Sequence, residues 1–141
     1  MSVECRIIIC GSRPPKNLPR SQVLEREARL WTWMSVVIRG LRETYGHPLV
    51  IVHGAARGVD QMAEGVCRSL GITTDPFPAD WDGRGRIAGF ERNQRMLDSG
   101  AIGVVAFKHP FNWALDRGGT EDMVRRAKAA SVPTYVIEGP I

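Results

Sequence analysis

No apolar run in this chain of 141 residues approaches the roughly 20 residues that a helix needs to cross a bilayer. Cysteine is scarce: Cys5, Cys10 and Cys67 are odd in number and set among apolar neighbours, which excludes a disulfide framework and predicts reduced core thiols. His47, His53 and His109 form no ligand spacing with them, so no metal site is expected. The charge is net positive, +4 with a pI near 9.3, yet the arginines are scattered. A clustered basic stripe with interleaved aromatics, the usual footprint of a nucleic-acid binder, is missing. What the charge supports is weak steering of an anion. Neither a Ser/Gly linker nor a charge block divides the chain, and one domain over 1–141 is expected. Met1 to Arg6 puts an acidic residue before the first apolar run and carries no cleavable signal pattern, so the expectation is a soluble, cytoplasmic protein without membrane contact.

What is present is a repeated turn. Leu49-Val50-Ile51-Val52-His53 is a short β-branched run that empties into Gly54-Ala55-Ala56-Arg57-Gly58-Val59-Asp60 and then a helical pattern. Glycines there permit backbone angles and close approaches that a Cβ obstructs, and the first amides of the helix lack partners inside it. Such a turn suits an anion, most often a phosphate. The pattern recurs where Arg6-Ile7-Ile8-Ile9-Cys10 runs into Gly11-Ser12-Arg13. It recurs again where the strand Ala101 to Phe107 precedes Gly118-Gly119-Thr120 and a helix through Ala130. In an open parallel sheet such loops share the carboxyl edge of the strands, where ligands bind.

The coarse order is strand (about 5–10), helix (21–45), strand (49–53), helix (58–70), strand (72–77), helix (87–99), strand (101–107), helix (120–130) and strand (133–137). Strands alternating with helices predict a mainly parallel five-stranded α/β sheet with helices on both faces. In the first helix Leu24, Ala28, Trp31, Ser35, Ile38 and Tyr45 share a side expected to face the sheet, with Ser21 as N-cap. Leu30, Trp33, Val37 and Leu41 form a neighbouring stripe. Either the helix is unusually buried or Trp33 and Val37 meet a second subunit in a homo-oligomer. Phe90, Asn93 and Leu97 share a helical face, so Asn93 must find partners if buried; it either ties down a loop or meets a ligand. Trp81 is a core plug or a stacking platform.

The ordered set Gly11-Ser12-Arg13, His53 to Asp60, Pro78-Ala79-Asp80-Trp81, Ala88-Gly89 with Arg92-Asn93 and Met96, and Gly118-Gly119-Thr120 resembles the YspA, or cpYpsA-related, branch of the SLOG superfamily. The likeness runs from about Arg6 to Ile137. It implies a Rossmann-like fold that binds a nucleotide or nucleotide-derived ligand, NAD- or ADP-ribose-like, in a sensor or in conflict between phage and host. The Gly54 to Asp60 loop is also similar to that of DprA proteins, which bind single-stranded DNA. Gly118-Gly119-Thr120 partly resembles the signature of LOG phosphoribohydrolases, which cleave the N-glycosidic bond of nucleoside monophosphates. At the position of that family's catalytic Glu stands Met123, and a thioether neither stabilises an oxocarbenium ion nor activates water. Glu121 and Asp122 have the ordinary role of complementing a helix N-terminus.

The reading is therefore a Rossmann-like binder with no required cofactor and no assigned catalytic residue. Gly11, Ser12 and Arg13 would cover one side of a phosphate, Gly54, Arg57 and Gly58 the second, and Gly118, Gly119 and Thr120 the third. Asp60 would cap and order its loop, while Arg92 and Asn93 would approach the ribose or a second phosphate. A nucleotide N-glycosidase and a DprA-like single-strand DNA binder are the alternatives.

Overall fold

The computed structural model describes residues 3–13, 17–85, 87–108 and 119–138. Its strands are β1 (Cys5–Gly11), β2 (Leu49–His53), β3 (Thr73–Pro76), β4 (Ala101–Phe107) and β5 (Thr134–Ile137). The helices are α1 (Arg20–Tyr45), α2 (Val59–Leu70), α3 (Trp81–Arg84), α4 (Ile87–Asp98) and α5 (Gly119–Ala129). The strands form one parallel sheet in the order β3-β2-β1-β4-β5, with Ile8 registered between Val52 and Val104. This is the expected Rossmann-like α/β architecture.

Burial on both faces explains the near-continuous apolar strands. Ile7, Ile9, Ile51, Val105 and Phe107 pack with Leu30, Met34 and Ile38 of α1 and Val59, Ala63 and Val66 of α2. Ile8, Cys10, Val52, Val104 and Ala106 pack on the other side with Met96 and Leu97 of α4 and Met123, Val124 and Ala127 of α5. Cys10 and Cys67 are buried free thiols, and burial with Glu64 nearby pushes the Cys67 thiol up to about 12. Among the described residues no helix is long and apolar enough to cross a membrane.

Several local expectations need correction. Ser21 does not cap α1: the carbonyl of Pro19 already accepts from Gln22 and Val23 at 3.0 and 3.1 Å, so the helix starts earlier, without a side-chain cap. The buried stripe of α1 is Leu30-Met34-Ile38, while Leu24 and Trp31 are half-exposed and Ser35 Oγ donates back to the Trp31 carbonyl at 2.7 Å. Trp31 lies against Gly65 of α2. Trp33 and Val37 pack, half-buried, on the chain's own core, so the wide apolar arc is largely used inside the molecule. β3 starts after Ile72 because the Ile72 amide is taken by the Cys67 carbonyl at 2.9 Å in the α2 C-cap, where Gly71 has φ 67°. The short α3 was not expected; Asp80 caps it by accepting from the Gly83 amide at 3.1 Å.

Candidate functional site

The strand order reverses direction between β1 and β4, and the crevice beyond the carboxyl ends of these strands is where open α/β sheets bind ligands. There the chain forms a polar cradle. Cys10, Gly11 and Arg13 come from the end of β1, Ala56 and Asp60 from the turn into α2, Arg92, Asn93 and Met96 from α4, and Gly119 and Thr120 from the start of α5. Its free volume is about 20 Å³, room for about one water.

The turn after β2 is held by two side chains on its own flanks. The His53 ring accepts the Ala55 amide on Nδ1 at 3.0 Å, which places the ring proton on Nε2, 2.8 Å from Glu64 Oε1. Burial alone would raise the Glu64 carboxyl, but hydrogen bonds from His53, Arg68 and Thr74 hold it below its usual value. Ala55 carries φ 58°, a left-handed conformation costly for a residue with a Cβ. Gly58, at φ 86°, is where the turn needs a glycine. Asp60 Oδ2 accepts the Ala56 amide at 3.2 Å, whereas its buried Oδ1 has no partner among the described residues. Burial pushes the Asp60 carboxyl up, against the opposing pull of Arg92 and the amides of Ala56 and Gly54. The buried Ser12 hydroxyl is likewise without a partner among the described residues.

Arg92 and Asn93 act as a girder across the crevice. Arg92 Nη1 donates to the Gly54 carbonyl at 2.6 Å and its Nε to Asn93 Oδ1 at 3.0 Å. Asn93 Nδ2 donates to the Gly119 carbonyl at 2.9 Å and to Asp122 Oδ2 at 3.0 Å. Both amide hydrogens of Asn93 are thereby spent on fixing the start of α5 to α4. Burial holds Arg92 below its ordinary value, with Asp60 pulling the other way. Asp122, also bonded by Arg126 Nε at 2.8 Å, is buried and structural, Glu121 is exposed, and Met123 is fully buried in the core.

The glycines divide by role. A Cβ on Gly54 would come within 2.5 Å of Arg92 Cζ, so its bareness accommodates the guanidinium. A Cβ on Gly11 would come within 2.7 Å of Val59 Cβ and 2.8 Å of the Phe107 carbonyl, so β1, α2 and β4 meet there. Arg13, Asp60 and Thr120 are brought together around the crevice with Gly11 and Gly119, while Ser12 is buried and, like Gly54, is not among the residues that line it. Arg57 is exposed and makes no hydrogen bond or ion pair among the described residues, and Gly118 lies outside them. Sequence reasoning missed the His53–Glu64 pair, although Asp60 and Glu64 stand one helical turn apart. It also missed the Arg13 guanidinium stacked 5.1 Å from the Trp81 ring centre.

No family model matches the chain. It is 32% identical over 133 residues to the Gene 61 protein of Mycobacterium phage D29, spanning 91% of this chain and 92% of that protein. Among solved structures it is similar to DNA processing protein A (DprA) from Streptococcus pneumoniae, with a TM-score of 0.68 and 19% identity. That match covers 98% of this chain and 52% of the other, so the chain spans about half the length of that structure. This second likeness is one of fold.

Proposed function

The chain belongs to the same family as the Gene 61 protein of Mycobacterium phage D29, and from that premise we propose that it binds a nucleotide or nucleotide-derived small molecule, NAD- or ADP-ribose-like, in the cradle between β1 and β4. The observation that carries this reading is the buried Asp60 Oδ1, which has no hydrogen-bond partner among the described residues and belongs to a residue that lines the cradle with Arg13 and the start of α5. Buried polar groups are almost always hydrogen-bonded, so an unpaired carboxylate oxygen in this place supports a ligand that donates to it. Asp60 Oδ1 is an acceptor suited to a ribose hydroxyl, as acidic residues serve in dinucleotide folds. Arg13 and the first amides of α5 suit the phosphate. The resemblance of the ordered motifs to the YspA branch of the SLOG superfamily supports the same ligand class. A phage-encoded relative fits a role as a sensor or in conflict between phage and host.

Mass analysis of small molecules released on denaturing freshly purified protein, followed by calorimetry with AMP, NAD and ADP-ribose, tests the reading. Binding of at least one is expected, and no binding to any of them overturns it. Arg13→Ala is expected to weaken a phosphorylated ligand by about 1.5–3 kcal/mol, the range for a charge-assisted hydrogen bond, and to spare the matching nucleoside. Chromatography of the same mixtures over hours is expected to return the ligand intact. Release of free base that disappears in Asp60→Asn would instead identify an N-glycosidase. Binding of single-stranded DNA that falls steeply with salt would mark the polymer as the ligand.

A further inference from the structure

Trp81 stands out among the exposed large side chains because its ring lies under Arg13, a residue that lines the cradle. It is 45% exposed at the start of α3, which Asp80 caps. The edge of its ring lies against Gly89 of α4, where a Cβ would come within 2.9 Å of the indole. Gly89 is one helical turn before Arg92 and Asn93, so the ring is set by the same helix that builds the crevice wall. Arg13, which lines the cradle, lays its guanidinium over the ring at 5.1 Å from the centroid. A solvent-facing indole thus has one edge fixed and a face covered by a flat cation that belongs to the binding site.

We propose that Trp81 is the platform on which the ligand's aromatic base stacks, and that Arg13 occupies this face only until the ligand arrives. This deepens the nucleotide reading and rests on it. A guanidinium and a nucleobase are both planar and both stack on indole, so the site that holds one fits the other. The exchange is favourable because each group then meets a better partner. The base gains an aromatic face, and Arg13 leaves a half-exposed cation–π contact for a charge-assisted bond to phosphate. Movement of Arg13 also removes one lining side chain from a cradle whose free volume is about 20 Å³.

Calorimetry with AMP, adenosine and ribose 5-phosphate on the full chain tests this, with tryptophan fluorescence as a second readout. Trp81→Ala is expected to weaken AMP about tenfold, within the range for loss of one base–aromatic stack, and to leave ribose 5-phosphate unchanged. Trp81→Phe should retain most of the AMP affinity. AMP is expected to change the fluorescence of the unmodified chain but not that of Trp81→Phe. Arg13→Ala should weaken AMP yet bind adenosine at least as tightly as the unmodified chain, since the competing guanidinium is gone. Unchanged AMP affinity in a folded Trp81→Ala variant overturns the platform. Equal weakening of AMP and ribose 5-phosphate in both Trp81 variants overturns it too, by showing that the ring only supports α4. An unmodified chain that binds AMP and ribose 5-phosphate equally refutes the platform and leaves the cradle standing. Failure of all three ligands to bind removes both.

Discussion

The two faces of the sheet are filled in different ways. Beneath α1 and α2 the core is built from Leu30, Met34, Ile38, Val59, Ala63 and Val66, with Asp60 and His53 as buried polar side chains at its carboxyl end. Beneath α4 and α5 an apolar lower part gives way, at the carboxyl edge, to buried Arg92, Asn93, Thr120 and Asp122. Apolar packing is non-directional and tolerates small shifts, whereas a buried guanidinium and amide with spent hydrogens fix the atoms they touch. The first face holds the sheet together. The second sets the distance between the Gly54 turn and the start of α5, which is the width of the cradle.

The comparison is broken most directly by a pair of variants. Arg92→Met strands the Gly54 carbonyl and Asn93 Oδ1 and leaves Asp60 without its nearby cation, so a loss of about 3–5 kcal/mol is expected, together with loss of nucleotide binding. Met34→Ala on the apolar face is expected to cost about 2–5 kcal/mol while leaving the affinity of the folded protein unchanged. Urea melts read alongside calorimetry check both, and a Met34→Ala variant that stays folded but loses ligand would erase the distinction between the faces.

A smaller effect is expected at the rim of α1. Trp33 rests half-buried on the chain's own core, so Trp33→Glu should destabilise the monomer by roughly 1–3 kcal/mol through incomplete solvation of the carboxylate. Light scattering sharpens this result. An unmodified chain that is dimeric, and that Trp33→Glu converts to a stable monomer, would place the exposed half of Trp33 and Val37 at a contact between copies.

The smallest effect concerns Asp60. Its folded value is raised, so the stability it contributes is fully present below its unfolded value near pH 4 and is lost as pH rises through the folded one. Asn at this position keeps an acceptor for the Ala56 amide without the charge. Thermal melts from acid to pH 8 should therefore be flatter for Asp60→Asn than for the unmodified chain. At pH 8 the variant should melt no lower, gaining about 2–4 °C for each kcal/mol relieved. A variant that melts lower at pH 8 would show that the attraction of Arg92 outweighs burial.

By itself the sequence determined the alternation of five strands and their major helices, since β-branched runs such as Leu49 to Val52 and the spacing of Val59, Ala63 and Val66 are local signals. It also marked the turns at Gly11, Gly54 and Gly58, because glycine is informative wherever space or a positive φ is demanded. Which demand each glycine answers was settled only by tertiary structure. Gly54 yields to a guanidinium 38 residues away and Gly11 to α2 and β4, contacts with no trace in local spacing. The rotation of α1 was also decided by tertiary packing, with Leu30, Met34 and Ile38 inward and Trp31 half out against Gly65 of α2. So was the stacking of Arg13 on Trp81, residues far apart in the chain. Periodicity reports which side chains avoid water, but the partner of a buried polar group is chosen by the fold, because hydrogen bonds and close approaches depend on positions that only the folded chain brings together.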